Sequence, residues 1–299
     1  MQLNGTTCLV TGATNGIGKA TALGLARLGA TVVVVGRNRD KGAQVVSQIK
    51  HESKSAAVES MTADLSSMSA IQQLAREFRS QHSRLHLLIN NAGALFLQRH
   101  LSPDGYEQTF ALNHLSGFLL THLLLDVLKA SGHARIVTVS SGAHFQGHMN
   151  FDDLQGSRRY AGLPIYAQSK LANIMFTYEL ARRLSGTCVT ANALDPGLVQ
   201  SGFGHNNGLI ARLYMALYQR TRGITAEQSA ATVIYVATSP ELTGVSGQYF
   251  ANKHAVPSSS ESYDQSAWAR LWQMSEEMSR IKSIISSSDS GIGRGPTLQ

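Results

Sequence analysis

The chain has 299 residues, 43% of them hydrophobic and 15% charged, a globular balance that excludes a wholly disordered chain and supplies apolar content for a large core. Its formal net charge is +7, but the lysines and arginines are scattered rather than interleaved with aromatics in one patch, so nucleic acid is not an expected partner. The two cysteines, Cys8 and Cys188, exclude a disulfide framework and favour a reducing compartment; both sit in apolar runs expected to be buried strands.

The first predicted strand covers 7–10 and leaves no room for a signal peptide before it. No apolar stretch approaches the ~18 uncharged residues of a spanning helix. No integral membrane segment and a cytoplasmic location are therefore expected. Further strands are predicted over 31–35, 58–62, 85–89, 134–139, 188–193 and 248–250, alternating with helices over 18–28, 41–50, 68–81, 106–129, 163–184 and 225–238. That alternation reads as α/β: a single-domain doubly wound (Rossmann) parallel sheet of about seven strands, with helices on both faces, spanning 1–282. An apolar-rich piece over 202–222 interrupts the alternation and is expected as a lid. A C-terminal helix is predicted over 263–281, and the Ser/Gly-rich 283–299 is expected to be a disordered tail.

The first strand runs into Thr11-Gly12-Ala13-Thr14-Asn15-Gly16-Ile17-Gly18, directly before a helix. Gly12 permits a sharp turn, Gly16 lets backbone approach a pyrophosphate, and Gly18 lets the helix pack tightly on the strand. Thr14, Asn15 and Ile17 complete the loop, and the helix N-terminus offers free N–H groups to phosphate. After the second strand, where a site for NAD would present a carboxylate to the ribose 2′-hydroxyl, stand Gly36, Arg37, Asn38 and, one turn on, Lys41. A guanidinium there suits a 2′-phosphate, which predicts NADP(H); the alternative is a set of surface charges opening a helix. Asp64-Leu65 follows the third strand, where a carboxylate could meet the adenine amino group. Asn91-Ala92-Gly93 follows the fourth, its small residues allowing close approach to a ribose; a turn braced by the Asn side chain is the structural alternative, and both can hold.

Thr-Gly-x-x-x-Gly-x-Gly (11–18), Asp-Leu (64–65), Asn-Asn-Ala-Gly (90–93), Ser-Ser (140–141), Tyr-x-x-x-Lys (166–170) and Pro-Gly (196–197) occur in that order. Together they resemble the short-chain dehydrogenase/reductase superfamily over roughly the first 250 residues. The stretches 113–122, 169–173 and 271–277 are similar to its retinol-dehydrogenase-like branch. The resemblance implies an oxidoreductase that interconverts a carbonyl and an alcohol with NADP(H), of the carbonyl reductase type. It assigns Asn113 to a proton path reaching Lys170, and it implies a homodimer or homotetramer built through the helices carrying Asn113 and Tyr166. Pro196, Gly197, Val199 and Ser201 belong by position to the cofactor site, Ser201 as a partner for the nicotinamide carboxamide.

The residues support that chemistry directly. Tyr166 and Lys170 lie four apart and share a helix face. A phenol ordinarily titrates near ~10, and a neighbouring cation favours its anion, so Lys170 is expected to lower it and let Tyr166 act as acid or base. Ser141, just past a strand end, is placed to bond the substrate oxygen. Ser140 reads as strand-end packing.

One spacing departs from the pattern: Ser141 and Tyr166 are 25 residues apart, where about a dozen is usual for the superfamily, and the insert (144–163) is similar to the retinol-dehydrogenase-like branch. Its His144 and His148 read as solvated loop histidines, and no metal site is expected. The insert, the 202–222 lid and residues 94–97 are apolar-leaning, so a small-molecule hydrophobic substrate is expected, retinoid-like or a long-chain aldehyde, ketone or alcohol. Two other readings stay open: a non-catalytic NADP(H)-binding sensor, and a light-dependent tetrapyrrole reductase, which the strand positions of both cysteines disfavour.

Overall fold

The computed structural model describes residues 2–197 and 224–281. The expected lid, Val199, Ser201 and the tail from 283 lie outside the described residues. Among the described residues one sheet of eight strands organises the fold: β1 (Thr7–Thr11), β2 (Thr31–Gly36), β3 (Val58–Thr62), β4 (Leu87–Asn90), β5 (Ala134–Val139), β6 (Val189–Asp195), β7 (Tyr249–Ala251) and β8 (His254–Ala255). Their order is β3-β2-β1-β4-β5-β6-β7-β8, parallel throughout except for the β7–β8 pair. The eighth strand, one more than expected, is two exposed residues that sequence patterning does not resolve.

Period-two alternation sends β2's valines to opposite faces. Val32 and Val34 pack with Leu25 of α1 (Gly16–Arg27), Ile49 of α2 (Arg39–Ser53) and Val233 of α8 (Ala226–Thr238). Val33 and Val35 join the other core, with Phe78 of α3 (Met68–Gln81), Phe118 of α5 (Ser116–Leu123) and Met175 of α7 (Gly162–Arg183). Trp272 of α9 (Gln265–Ser279) closes that face, its ring 5.1 Å from Phe118.

The long helix expected over 106–129 is divided. Glu107, fully buried, caps a three-residue α4 (Gln108–Phe110) by accepting the amides of Thr109 and Phe110 at 2.8 and 2.7 Å. A π-helical turn, Ala111–Leu115, follows, and α5 breaks at Leu124 before α6 (Leu125–Ala130). Amphipathic patterning does not distinguish i→i+5 from i→i+4 bonding, so the π turn is invisible in sequence. Cys8 is buried in β1 as expected, and burial pushes its thiol far up. Cys188 is not: it is exposed, because β6 begins one residue later, at Val189.

Candidate active site

The sheet reverses its strand order between β1 and β4, and the loops at the C-terminal ends of the strands around that point converge. Gly12 has φ +64°, and a Cβ there would stand 2.8 Å from Ala92 Cα. At Gly18 a Cβ would fall 2.5 Å from both Asn91 Nδ2 and the Gly12 carbonyl oxygen. The absence of side chains thus lets the loop after β1 nest against the loop after β4. Asn91 locks the two together, its Nδ2 donating to the Thr11 carbonyl at 2.8 Å. Thr11 Oγ1 accepts the amides of Asn91 and Ala92 at 2.9 and 3.0 Å, a bracing role that the motif reading missed. Helix α1 starts at Gly16 with no side-chain cap from Asn15 and no acid in its first turn, so its first amides face this cradle uncapped.

At the end of β2, a Cβ on Gly36 would stand 2.4 Å from Thr14 Cγ2. Thr14 therefore fills the space in which a carboxylate would have to grow. Arg37 and Lys41 are exposed beside it, while Asn38 caps α2, its Oδ1 accepting the Lys41 amide at 2.9 Å. Asp64 is exposed, with Oδ1 engaged by the Ser66 amide and hydroxyl at 3.0 and 2.7 Å. Leu65 is buried in the core, leaving its backbone for any cofactor contact. Cradle glycines, uncapped helix amides and flanking basic side chains form a donor set that fits a dinucleotide. Pro196 and Gly197 leave β6 on the same edge, Gly197 with φ +80°.

The candidate reacting groups stand next to this cradle. Ser141 caps a 3₁₀ turn (Gly142–Gln146) at the end of β5, and its side chain hydrogen-bonds the Tyr166 hydroxyl. Lys170 is buried one turn along α7, its Nζ donating to the Val139 carbonyl at 3.1 Å and lying 5.6 Å from the Tyr166 ring centre. Ser140 Oγ donates to the Lys170 carbonyl at 2.7 Å, tying the end of β5 to α7. A Cβ on Gly93 would lie 3.2 Å from Asn113 Oδ1 and 3.3 Å from Lys170 Nζ, so this glycine brings cradle, Asn113 and Lys170 together. The Asn113 side chain holds that junction: Oδ1 accepts the Ala94 amide at 2.8 Å, and Nδ2 donates to the Ala94 carbonyl and Ser169 Oγ at 3.0 and 2.9 Å.

Electrostatics corrects one expectation. Burial raises the Tyr166 phenol above its ordinary value, with Asp195 adding to the rise and the Ser141 hydrogen bond opposing it. Helical spacing reveals the Lys170 charge but not the loss of water around the phenol, which disfavours the anion. Lys170 is itself lowered to about 8 by burial, with Asp195 opposing.

The insert folds without separating Ser141 from Tyr166. A Cβ on Gly147 would meet the Ala167 carbonyl at 2.7 Å, so the loop lies flat on α7. The buried Gln168 clamps it, accepting the Asn150 amide at 3.0 Å and donating to the Leu154 carbonyl at 3.1 Å. Tyr160 ties its far end to the Phe96 carbonyl at 2.7 Å and to Glu107 at 3.1 Å. His148 is exposed as expected, but His144 is fully buried and not solvated. Its Nδ1 meets the Ser141 carbonyl at 2.7 Å and its Nε2 takes the Ser259 amide at 3.1 Å, because the segment before α9 covers it. Among the described residues no cluster of His, Cys, Asp and Glu could hold a metal ion.

Comparison with known proteins agrees with this geometry. The sequence pattern of the short chain dehydrogenase family matches residues 6–208. Human polyprenol dehydrogenase is 44% identical over 282 residues, covering 92% of this chain and 86% of that protein. Mouse retinol dehydrogenase 12 is 40% identical over 285 residues, covering 94% and 89%. A crystal structure of an uncharacterized Mycobacterium paratuberculosis protein superposes with a TM-score of 0.76 at 32% identity, covering 94% of this chain and 96% of that one. A Pseudomonas aeruginosa RhlG/NADP active-site complex does so at 0.67 and 26%, covering 83% and 95%. Motifs, sheet order and these likenesses together make the chain a member of the short-chain dehydrogenase family, in its retinol-dehydrogenase-like branch, and an oxidoreductase using a nicotinamide cofactor.

Proposed function

We propose that the protein interconverts a carbonyl and an alcohol on a hydrophobic substrate with NADP(H). The observation that carries this reading is the Ser141–Tyr166 hydroxyl contact, standing over the buried Lys170 and beside the glycine cradle. When bound, the nicotinamide supplies a hydride to a carbonyl carbon or takes one from an alcohol. The chain's own part is proton control. The raised phenol keeps its proton at neutral pH and so enters as an acid toward a carbonyl oxygen, which Ser141 also bonds. Lys170 and Ser141 then steady the phenolate left behind.

NADP(H) rather than NAD(H) is supported by Thr14 packed against Gly36, with Arg37 and Lys41 alongside. A hydrophobic substrate is supported by exposed apolar side chains on and beside the elements that carry Ser141 and Tyr166. Phe145 (58% exposed) sits on the 3₁₀ turn after Ser141, Leu163 (63%) opens α7 three residues before Tyr166, and Leu97 (42%) abuts Gly162. The relatives named for retinol and polyprenol point the same way.

The test follows NADPH oxidation over aldehydes and ketones, and NADP+ reduction over the matching alcohols, both at about 340 nm and with rising chain length, in wild type and Tyr166→Phe. Turnover favouring long apolar carbonyls and collapsing in the variant, with NADPH still bound, is expected. Tight NADPH binding without turnover would return the protein to the sensor class; preference for small polar carbonyls would sink the substrate class alone.

A further inference from the structure

We propose that Asp195, the last residue of β6, sets the proton balance of Tyr166 and Lys170 and biases the site toward proton donation, acting through those two groups rather than on substrate. The proposal rests on the carbonyl–alcohol reading above.

Asp195 stands where the reacting elements meet. Its strand neighbour Leu194 pairs with Val139, whose carbonyl accepts the Lys170 hydrogen bond. One carboxylate oxygen, Oδ1, accepts the Gly197 amide at 3.0 Å. The other, Oδ2, lies 3.1 Å from where a Cβ on Gly142 would stand. A side chain at Gly142 would therefore press on the carboxylate; the glycine lets it lie against the turn that begins with Ser141. Four groups on three elements feel this charge: His144 on that turn, Tyr166 and Lys170 on α7, and Tyr249 on β7. His144 brings no compensating cation, since burial lowers its basicity and both ring nitrogens are engaged, by the Ser141 carbonyl and the Ser259 amide.

The direction follows from the sign of the charge. A nearby carboxylate favours the ammonium of Lys170 over its neutral amine, and the neutral phenol of Tyr166 over its anion. The first effect counters the burial that has drawn Lys170 down to about 8, so Asp195 keeps the lysine charged at neutral pH. The second keeps the acid loaded. Both favour carbonyl reduction near neutrality and push alcohol oxidation, which needs the base form, to higher pH.

Asp195→Asn removes the charge and keeps an acceptor for the Gly197 amide; Asp195→Glu keeps the charge. Two readouts are taken on each full-length protein. The first is kcat/KM against pH in both directions. The second needs no turnover: the Lys170 titration by ¹³Cε chemical shift in lysine-labelled protein, assigned through its loss in Lys170→Met. In Asp195→Asn the alkaline limb of reduction, the acid limb of oxidation and the Lys170 midpoint should each fall by about one pH unit, the size expected of a charge acting through a partly screened interior. Asp195→Glu should stay near wild type. An unmoved Lys170 midpoint in folded Asp195→Asn, or an equal fall in Asp195→Glu, overturns the proposal. If Asp195→Asn does not fold, Asp195→Ser carries the same comparison. Absence of any Tyr166-dependent turnover would overturn the carbonyl–alcohol reading, while the lysine titration would still decide for or against the role of Asp195.

Discussion

The two halves of the site are built on opposite physical principles. Around the β1–α1 loop the working feature is missing atoms: Gly12, Gly18 and Gly36 stand where a Cβ would fall within 3 Å of a neighbour, and the loop geometry follows from backbone fit. Around Ser141, Tyr166 and Lys170 the working feature is buried polarity, with an amine, a phenol and a carboxylate taken partly out of water and balanced against one another. The first half should fail by steric overlap and the second by loss of charge or proton. A nucleotide cradle made of backbone tolerates almost no added volume, whereas a proton site tolerates isosteres structurally and loses its chemistry.

The sharpest break of that comparison is Tyr166→Phe. Removing one oxygen should cost ~10²–10⁴-fold in kcat, the range for a general acid, with unfolding temperature and NADPH binding nearly unchanged. Next comes Lys170→Met, which separates stability from activity. The folded value of about 8 lies below the ordinary 10.5, so between those two the unfolded chain binds more protons and stability rises with pH. Below about 8 the buried ammonium costs the fold up to ~3 kcal/mol, at roughly 1.4 kcal/mol per pH unit. Lys170→Met should therefore lose turnover yet unfold at higher denaturant at pH 7, the gain shrinking toward pH 10.

Gly18→Ala tests the other half, and its added methyl should behave in the reverse way. The new Cβ meets Asn91 Nδ2 and the Gly12 carbonyl, each at 2.5 Å, and the latter is backbone that cannot swing aside. A stability loss of ~1–3 kcal/mol is expected together with loss of NADPH binding, read by urea unfolding and fluorescence titration. Arg37→Ala is the mildest change. It should weaken NADPH by ~10–100-fold, the worth of charge-assisted hydrogen bonds, and leave NADH nearly unaffected; equal effects on both would remove the argument for the 2′-phosphate.

Much of this was legible because it is local. The glycine run lies within eight residues that lead into the first turn of a helix, and Tyr166 and Lys170 are one helical turn apart, so spacing alone puts each set on one surface. The valine-rich strands announced a sheet covered on both faces, and β2 alternates between two cores as such a strand must. Asp195 had a signal, its place directly before Pro196-Gly197, yet nothing in that position says which way its carboxylate turns. His144 read as a loop histidine because its covering partner, Ser259, lies 115 residues away. Cys188 read as buried because an apolar run does not mark the residue at which pairing begins.

What the sequence by itself determined is the alternation of strands and helices, the cradle and the spacing of the candidate reacting groups, since each depends on neighbours within a few residues or one helical turn. What only the tertiary structure decided is the state of those groups: a phenol raised rather than lowered, a lysine brought to about 8, and a carboxylate lying against the turn at Gly142. Those follow from desolvation and from charges that β5, β6 and α7 bring together across long stretches of chain, and a proton's free energy depends on that surrounding volume rather than on its neighbours in sequence.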